Sequence, residues 1–209
     1  MTRIADARAA VDAGVDAIGC LVGLDYDVPD RVEPEIARAI FASVPPSVFR
    51  VLVTHRTTVE EVVALVVATG ASVAQLHGDF PLEAIPELRR NVPSLTIVKA
   101  AHVVDERSIE EALRAALAAD LLLLDSRTAD RIGGTGRVHD WSVSARIVKQ
   151  SSKPVVLAGG LTPENVADAV ARVAPWGVDV NSGVRGPDGR KAHERIRAFV
   201  AAAKGQGIR

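Results

Sequence analysis

The chain has 209 residues, 48% of them hydrophobic and 24% charged, with a formal net charge of −1. That length supplies one sizeable core, and the charge balance excludes a nucleic-acid binder built on a concentrated basic face. A single cysteine, Cys20, excludes an intrachain disulfide framework and a multi-cysteine metal site and reads as a small buried hydrophobe. No apolar run is long enough to span a bilayer and no signal peptide opens the chain, so the expectation is a cytoplasmic protein without a membrane partner.

Residues 3–13 read as a helix, from apolar and alanine positions at helical spacing, with Gly14 as its cap. Residues 15–22, VDAIGCLV, read as a short buried strand. The connection at 23–33 is longer than most and holds Asp25, Tyr26, Asp27, Pro29, Asp30 and Arg31, with the three acids read as solvated. Glu33-Pro34-Glu35 opens a helix that reaches residue 43, as proline and acids suit a first turn. Strands at 48–54, 72–77, 95–100, 121–125, 154–158 and 178–181 then alternate with helices at 57–69, 82–91, 105–118, 140–150, 163–173 and 191–203.

Strict alternation implies a parallel sheet with right-handed crossovers, and strands apolar throughout imply that both faces are covered. A repeat of about 25 residues favours a (β/α)₈ TIM barrel over an open doubly wound sheet. Eight helices but seven strands are found, so the strand that should precede the first helix is missing. No linker interrupts the series, and residues 1–209 read as a single phosphate-binding barrel domain.

In such a barrel the chemistry sits where strands end. Asp125 closes the run Leu121-Leu122-Leu123-Leu124 and is a candidate general acid, or a turn cap in its own loop. Three glycine-rich exits follow: Gly133-Gly134-Thr135-Gly136, Gly159-Gly160 and Asn181-Ser182-Gly183. Glycine lets backbone N–H groups approach an anion closely, and two adjacent loops in the order expected of strands seven and eight point to a phosphate. His77 reads either as a substrate contact or as a satisfied strand-end histidine. His55, His102, His139 and His193 show no metal-ligand spacing, so no metal is expected. Trp141 and Trp176 read as packing residues. Lys99, at a strand end, is an available alternative base.

The chain resembles the phosphoribosylanthranilate isomerases of tryptophan biosynthesis. The residues that carry the resemblance are Ala13-Gly14-Val15-Asp16-Ala17-Ile18-Gly19, Gln75-Leu76-His77-Gly78-Asp79, Leu124-Asp125-Ser126, Gly133 to Gly136 with Asp140-Trp141, the stretch 157–165, and 179–183. They run in family order over essentially the whole chain. The resemblance implies an Amadori rearrangement of an aminoaldose phosphate to an aminoketose phosphate, without a cofactor. Asp125 matches the aspartate that protonates the ring oxygen. Gly134, Thr135, Gly136, Gly159, Gly160, Ser182 and Gly183 match the phosphate loops. Gln75, His77 and Asp179 match positions near the substrate. The expected partner is a small-molecule phosphosugar, and the expected state is a monomer or homodimer.

Two departures accompany the resemblance. The family opens on a strand ending Cys-Gly-x-Thr-Arg, whose cysteine removes the sugar C2 proton. Here Met1 falls just before Thr2-Arg3, so that strand and cysteine are missing, as a misplaced start would produce. The family's Pro-Arg pair, whose arginine holds the anthranilate carboxylate, reads Pro29-Asp30-Arg31 here. Arg31 is then the carboxylate ligand from a shifted loop, while an aspartate in that place would repel an anionic ring substituent. The alternatives are a phosphosugar-binding relative without isomerase activity, or an isomerase or lyase acting on another phosphosugar.

Overall fold

The structure is a computed structural model that describes residues 1–24, 28–126 and 141–207. The chain divides into two compact units, Met1–Lys99 and Ala100–Arg209.

In the first unit, helix α1 (Ile4–Asp12) precedes strand β1 (Ala17–Leu21). Helix α2 (Pro34–Ala42), strand β2 (Phe49–Thr54), helix α3 (Val59–Thr69), strand β3 (Val73–Leu76), helix α4 (Ile85–Asn91) and strand β4 (Thr96–Val103) follow, with β4 running past the unit's end. The strands pair in parallel in the order β1-β2-β3-β4, with Cys20 opposite Leu52, Val53 opposite Gln75, and Leu76 opposite Lys99. Every residue of β3 is buried, as a strand covered on both faces requires. The edge of β1 that faces away from β2 is occupied: Met1's ammonium donates to the Gly19 carbonyl at 2.5 Å, and Val32 N–H donates to Leu21 O at 2.9 Å.

Local chemistry fixes the helix ends. Pro34 stands in the first turn of α2, where a missing N–H costs nothing. Thr58 caps α3, accepting from Glu61 N–H at 3.4 Å and donating to the Glu61 carboxylate at 2.8 Å. Gly70 then ends α3 in the left-handed region at φ +72°.

The second unit holds the rest of β4, helix α5 (Ser108–Ala118), strand β5 (Leu121–Ser126), helix α6 (Trp141–Gln150), strand β6 (Val155–Leu157), helix α7 (Val166–Val173), strand β7 (Gly177–Val178) and helix α8 (His193–Lys204). Its strands follow in the order β4-β5-β6-β7, with Leu124 opposite Leu157 and Leu157 opposite Val178. Leu122, Leu123 and Leu124 are at most 2% exposed, so the run of leucines is a core strand. Seven strands and eight helices stand among the described residues, matching the alternation read from the sequence.

Helix α7 ends on Ala174 at φ +50°, the one described non-glycine residue in the left-handed region. That conformation costs an L-residue roughly 1–2 kcal/mol, against about 0.5–1 kcal/mol of extra chain entropy for glycine. Ala174→Gly is therefore expected to stabilise the protein by about 0.5–1 kcal/mol in denaturant titration. A loss of stability would show that the strain at this turn is already relieved.

Four expectations are corrected. Strand β4 continues to Val103, three residues past the expected end, so Lys99 lies within a strand and not at its exit. Helix α5 begins at Ser108 because Asp105 turns the chain first, accepting from Arg107 N–H at 2.9 Å. Asp30 is buried at 7% exposure and is not a solvated charge. Trp176 is 51% exposed and is not a packing residue.

Candidate active site

In the first unit Gln75, His77 and His55, at the ends of β2 and β3, form one cluster with Lys99 from within β4. Gln75 and His77 lie two apart, which in an extended chain aims both side chains to one side. Gln75 Nε2 stands 2.8 Å from His77 Nε2, and with the amide as donor the imidazole nitrogen accepts. The His55 ring stacks on His77, with centroids 5.3 Å apart and planes 9° from parallel. Beneath them Lys99 is buried and donates Nζ–H to Gly78 O at 2.9 Å and to Leu76 O at 3.5 Å. Gly78 takes φ +63°, which suits glycine alone at low cost, so the lysine holds a bend that carries His77. Lys99 is thus tied to backbone carbonyls, an orienting role that strand-end reasoning missed.

Arg31 follows the loop after β1. Its backbone forms an isolated parallel bridge with Leu21, and its exposed guanidinium pairs with Glu33 at 3.0 Å. Asp30 is turned into the protein, whereas the Arg31 next to it is exposed. Cys20 is fully buried, and loss of hydration pushes its thiol pKa up. A buried thiol with a raised pKa is a poor base.

In the second unit Asp125 is the penultimate residue of β5 and is partly exposed. Ala158 N–H donates to Leu124 O at 2.7 Å, which sets Asp125 beside the Ala158-Gly159-Gly160 exit. Gly159 and Gly160 both take positive φ, +81° and +67°. Asn165 braces this loop from below, donating Nδ2–H to Gly160 O at 3.0 Å and accepting from Thr162 N–H at 2.8 Å. The other exit is a single 3₁₀ turn, Ser182–Val184, after β7. Among the described residues no acceptor is recorded for the backbone N–H of Gly159, Gly160, Ser182 or Gly183. Backbone N–H groups at two neighbouring exits, without an acceptor among the described residues, suit an anion with several oxygens.

The two exits touch. A Cβ placed on Gly183 would lie 1.8 Å from Leu161 O, so only glycine fits there. Asp179 retains solvent contact, yet loss of hydration around its carboxyl raises the pKa, against the pull of Lys191 and of Val180 N–H. Lys191 in turn donates to Asn181 through both its backbone and side-chain oxygens. Gly133, Gly134, Thr135, Gly136, His139 and Asp140 lie outside the described residues, as do Asp25, Tyr26 and Asp27. Trp141 opens α6 and lies under the Arg172 guanidinium, 5.8 Å from the ring centroid. Among the described residues no group of His, Cys, Asp and Glu could hold a metal ion.

Glu164 receives a two-pronged ion pair from Arg195, at 2.9 and 3.0 Å. That guanidinium, helped by Thr162, holds the Glu164 carboxyl down at about 2, against an ordinary value of 4.5. A lowered acid contributes its stabilisation fully above the ordinary value and loses it as pH falls through the lowered one. The tie is thus complete at neutral pH and breaks as pH falls from 4.5 towards 2. Titration of the Glu164 side-chain carbon by NMR is expected to show a midpoint near 2; a midpoint near 4.5 would mean that the pair does not form.

Parallel strands with intervening helices, an acid at one strand exit and glycine-rich turns at the next two define a β/α-barrel protein, a class whose chemistry sits at the carboxyl ends of its strands. Residues 1–202 match the family described as N-(5'-phosphoribosyl)anthranilate (PRA) isomerase, and the chain belongs to that family. It is 40% identical over 204 residues to N-(5'-phosphoribosyl)anthranilate isomerase 2 of Methanosarcina mazei, a match covering 97% of this chain and 90% of the relative. It is 43% identical over 197 residues to the isomerase of Haloferax volcanii, covering 94% and 87%. Among solved structures, phosphoribosyl anthranilate isomerase from Thermotoga maritima superposes with a TM-score of 0.87 at 34% identity, covering 98% of this chain and 96% of that one. A phosphoribosyl anthranilate isomerase in complex with reduced 1-(o-carboxyphenylamino)-1-deoxyribulose 5-phosphate gives 0.84 at 33% identity, covering 98% and 95%. The fold is the TIM-barrel fold of these isomerases.

Proposed function

We propose that this chain catalyses the Amadori rearrangement of N-(5'-phosphoribosyl)anthranilate to 1-(o-carboxyphenylamino)-1-deoxyribulose 5-phosphate in tryptophan biosynthesis. The observation that carries the reading is the second unit's succession of an acid and two braced glycine turns on adjacent strands, in a chain of this family. Asp125 is the general acid: it gives its proton to the ring oxygen as the C1–O bond breaks and the sugar opens. Gly159, Gly160, Ser182 and Gly183 bind the phosphate through backbone N–H groups, with Gly134, Thr135 and Gly136 as the further loop implied by the resemblance. Arg31 pairs with the anthranilate carboxylate, an assignment supported by its exposure and by the burial of Asp30. Gln75, His77 and Asp179 contact the substrate. Cys20 is not the group that takes the C2 proton, since it is buried with a raised pKa.

The whole chain acts as one domain in this reading, supported by relatives whose matches run through both units. The partner is a phosphosugar, as in the relative bound to a reduced ribulose phosphate. The reading places the protein in the cytoplasm, and no described helix is long and apolar enough to cross a membrane. The chain works as a monomer or homodimer; monomers generated from a dimeric relative of Thermotoga maritima superpose with a TM-score of 0.82 at 32% identity, covering 98% of this chain and 95% of that one. A second reading, a phosphosugar binder without turnover, is favoured by the burial of Cys20, whose thiol is shielded from a substrate. The test is turnover of phosphoribosylanthranilate by purified protein, followed by the loss of anthranilate-type fluorescence. Turnover supports the isomerase, and phosphosugar binding without turnover supports the second reading.

A further inference from the structure

We propose that Arg195 is a positioning residue that sets the spacing and orientation of the two glycine turns, and through them the grip of this chain on phosphate. The proposal rests on the phosphate reading of those turns. Arg195 stands in the first turn of α8, away from either exit in sequence. Its planar guanidinium has two hydrogen-bonding edges, and both are filled. Nη1 and Nη2 hold Glu164, five residues after Gly159 and just below the first exit, at 2.9 and 3.0 Å. Nε and Nη2 donate to Gly183 O, in the second exit, at 3.2 and 3.1 Å. One rigid fork thus connects the two loops.

The two loops also have a fixed backbone contact, because Gly183 packs against the Leu161 peptide with no room for a Cβ. Fixing Gly183 O fixes the plane of the Gly183–Val184 peptide and so anchors the 3₁₀ turn Ser182–Val184 against the first exit. A lysine cannot copy this arrangement, since one ammonium cannot serve both edges of a planar fork. The Glu164 carboxylate is the telling member. It is an anion close to the turns that would bind an anion, so in a purely electrostatic account it opposes phosphate. If it anchors the fork, it favours phosphate instead. The sign of its effect separates the two roles.

The experiment measures binding of inorganic phosphate to the full chain by calorimetry, at one ionic strength, for the wild type and for Arg195→Met, Arg195→Lys, Glu164→Gln and Asp168→Asn. Asp168 pairs with Arg172 on the exposed side of α7 and serves as the control for removal of one negative charge. Arg195→Met is expected to weaken phosphate binding about tenfold, with Arg195→Lys recovering only part of it. Glu164→Gln is expected to weaken binding although it removes a negative charge, and Asp168→Asn to leave it unchanged. With substrate, Arg195→Met is expected to raise KM by a similar factor and leave kcat within about twofold. Tighter phosphate binding by Glu164→Gln, or full recovery by Arg195→Lys, would overturn the positioning role and leave Arg195 a simple charge. Unchanged binding by Arg195→Met would overturn it as well. A wild type that does not bind phosphate would overturn the phosphate reading itself, and the inference with it.

Discussion

Asp125→Asn is expected to lower kcat by about 10²- to 10⁴-fold while KM stays within a few-fold, measured on phosphoribosylanthranilate turnover with the wild type as reference. The substitution keeps the size and shape of the side chain and removes only its acidic proton. Ring opening needs a proton on the departing oxygen at the moment the C1–O bond breaks, and an amide cannot supply one at comparable cost. The stage that holds Asp125 is rigid. Leu122, Leu123 and Leu124 are core residues, and β5 is in register with β6 up to the pair Leu124–Leu157. The Gly159-Gly160 turn begins one residue beyond Ala158, whose N–H is bonded to Leu124 O. In the proposed reading, a fixed acid beside a fixed phosphate grip turns proton delivery into a positioned event, which is where such groups gain their effect. Equal losses in kcat and kcat/KM are expected of a group that acts only in the transition state. A kcat within about threefold of the wild type would remove Asp125 from the acid role and leave ring opening to another group.

The parts of this molecule that follow from local periodicity were legible in the sequence. The order of helices and strands, the leucine strand that carries Asp125, and the glycine exits each rest on a run of neighbouring residues. So did the burial of Cys20, since it sits among apolar residues in a strand. What failed to show was set by partners distant in the chain. Asp30 looks like a loop acid beside Pro29 and Arg31, and only the fold turns it inward. Lys99 looks like a strand-end base until β4 is seen to run on to Val103, which leaves the lysine beside the Leu76 and Gly78 carbonyls. The Glu164–Arg195 tie spans 31 residues and has no spacing signature. Asn165 is the exception that could have been found. Thr162, Pro163 and Asn165 at a helix start are turn and capping residues, and a brace on the preceding glycines follows from that chemistry.

The arrangement at Gly183 makes a sharper demand than its neighbours. Its φ is ordinary, so an alanine there is not strained by backbone conformation; the obstacle is space alone. The added Cβ would sit 1.8 Å from Leu161 O, 2.9 Å from Leu161 C and 3.2 Å from Thr162 Cα, all of them backbone atoms that cannot swing aside. The two loops must part by roughly 1 Å, and a displacement of that size at a binding site can cost about a hundredfold. Gly183→Ala is therefore expected to raise KM for phosphoribosylanthranilate and the dissociation constant for inorganic phosphate by about 10- to 100-fold, and to destabilise the protein by about 1–3 kcal/mol. Gly70→Ala supplies the comparison. Gly70 ends α3 at φ +72° with open space around its Cα, so alanine there is strained and costs about 1–2 kcal/mol without touching either turn. Both variants lose stability, and only Gly183→Ala is expected to lose phosphate. Equal KM values for the two would mean that the contact between Gly183 and Leu161 serves folding alone, and the phosphate would have to be held elsewhere.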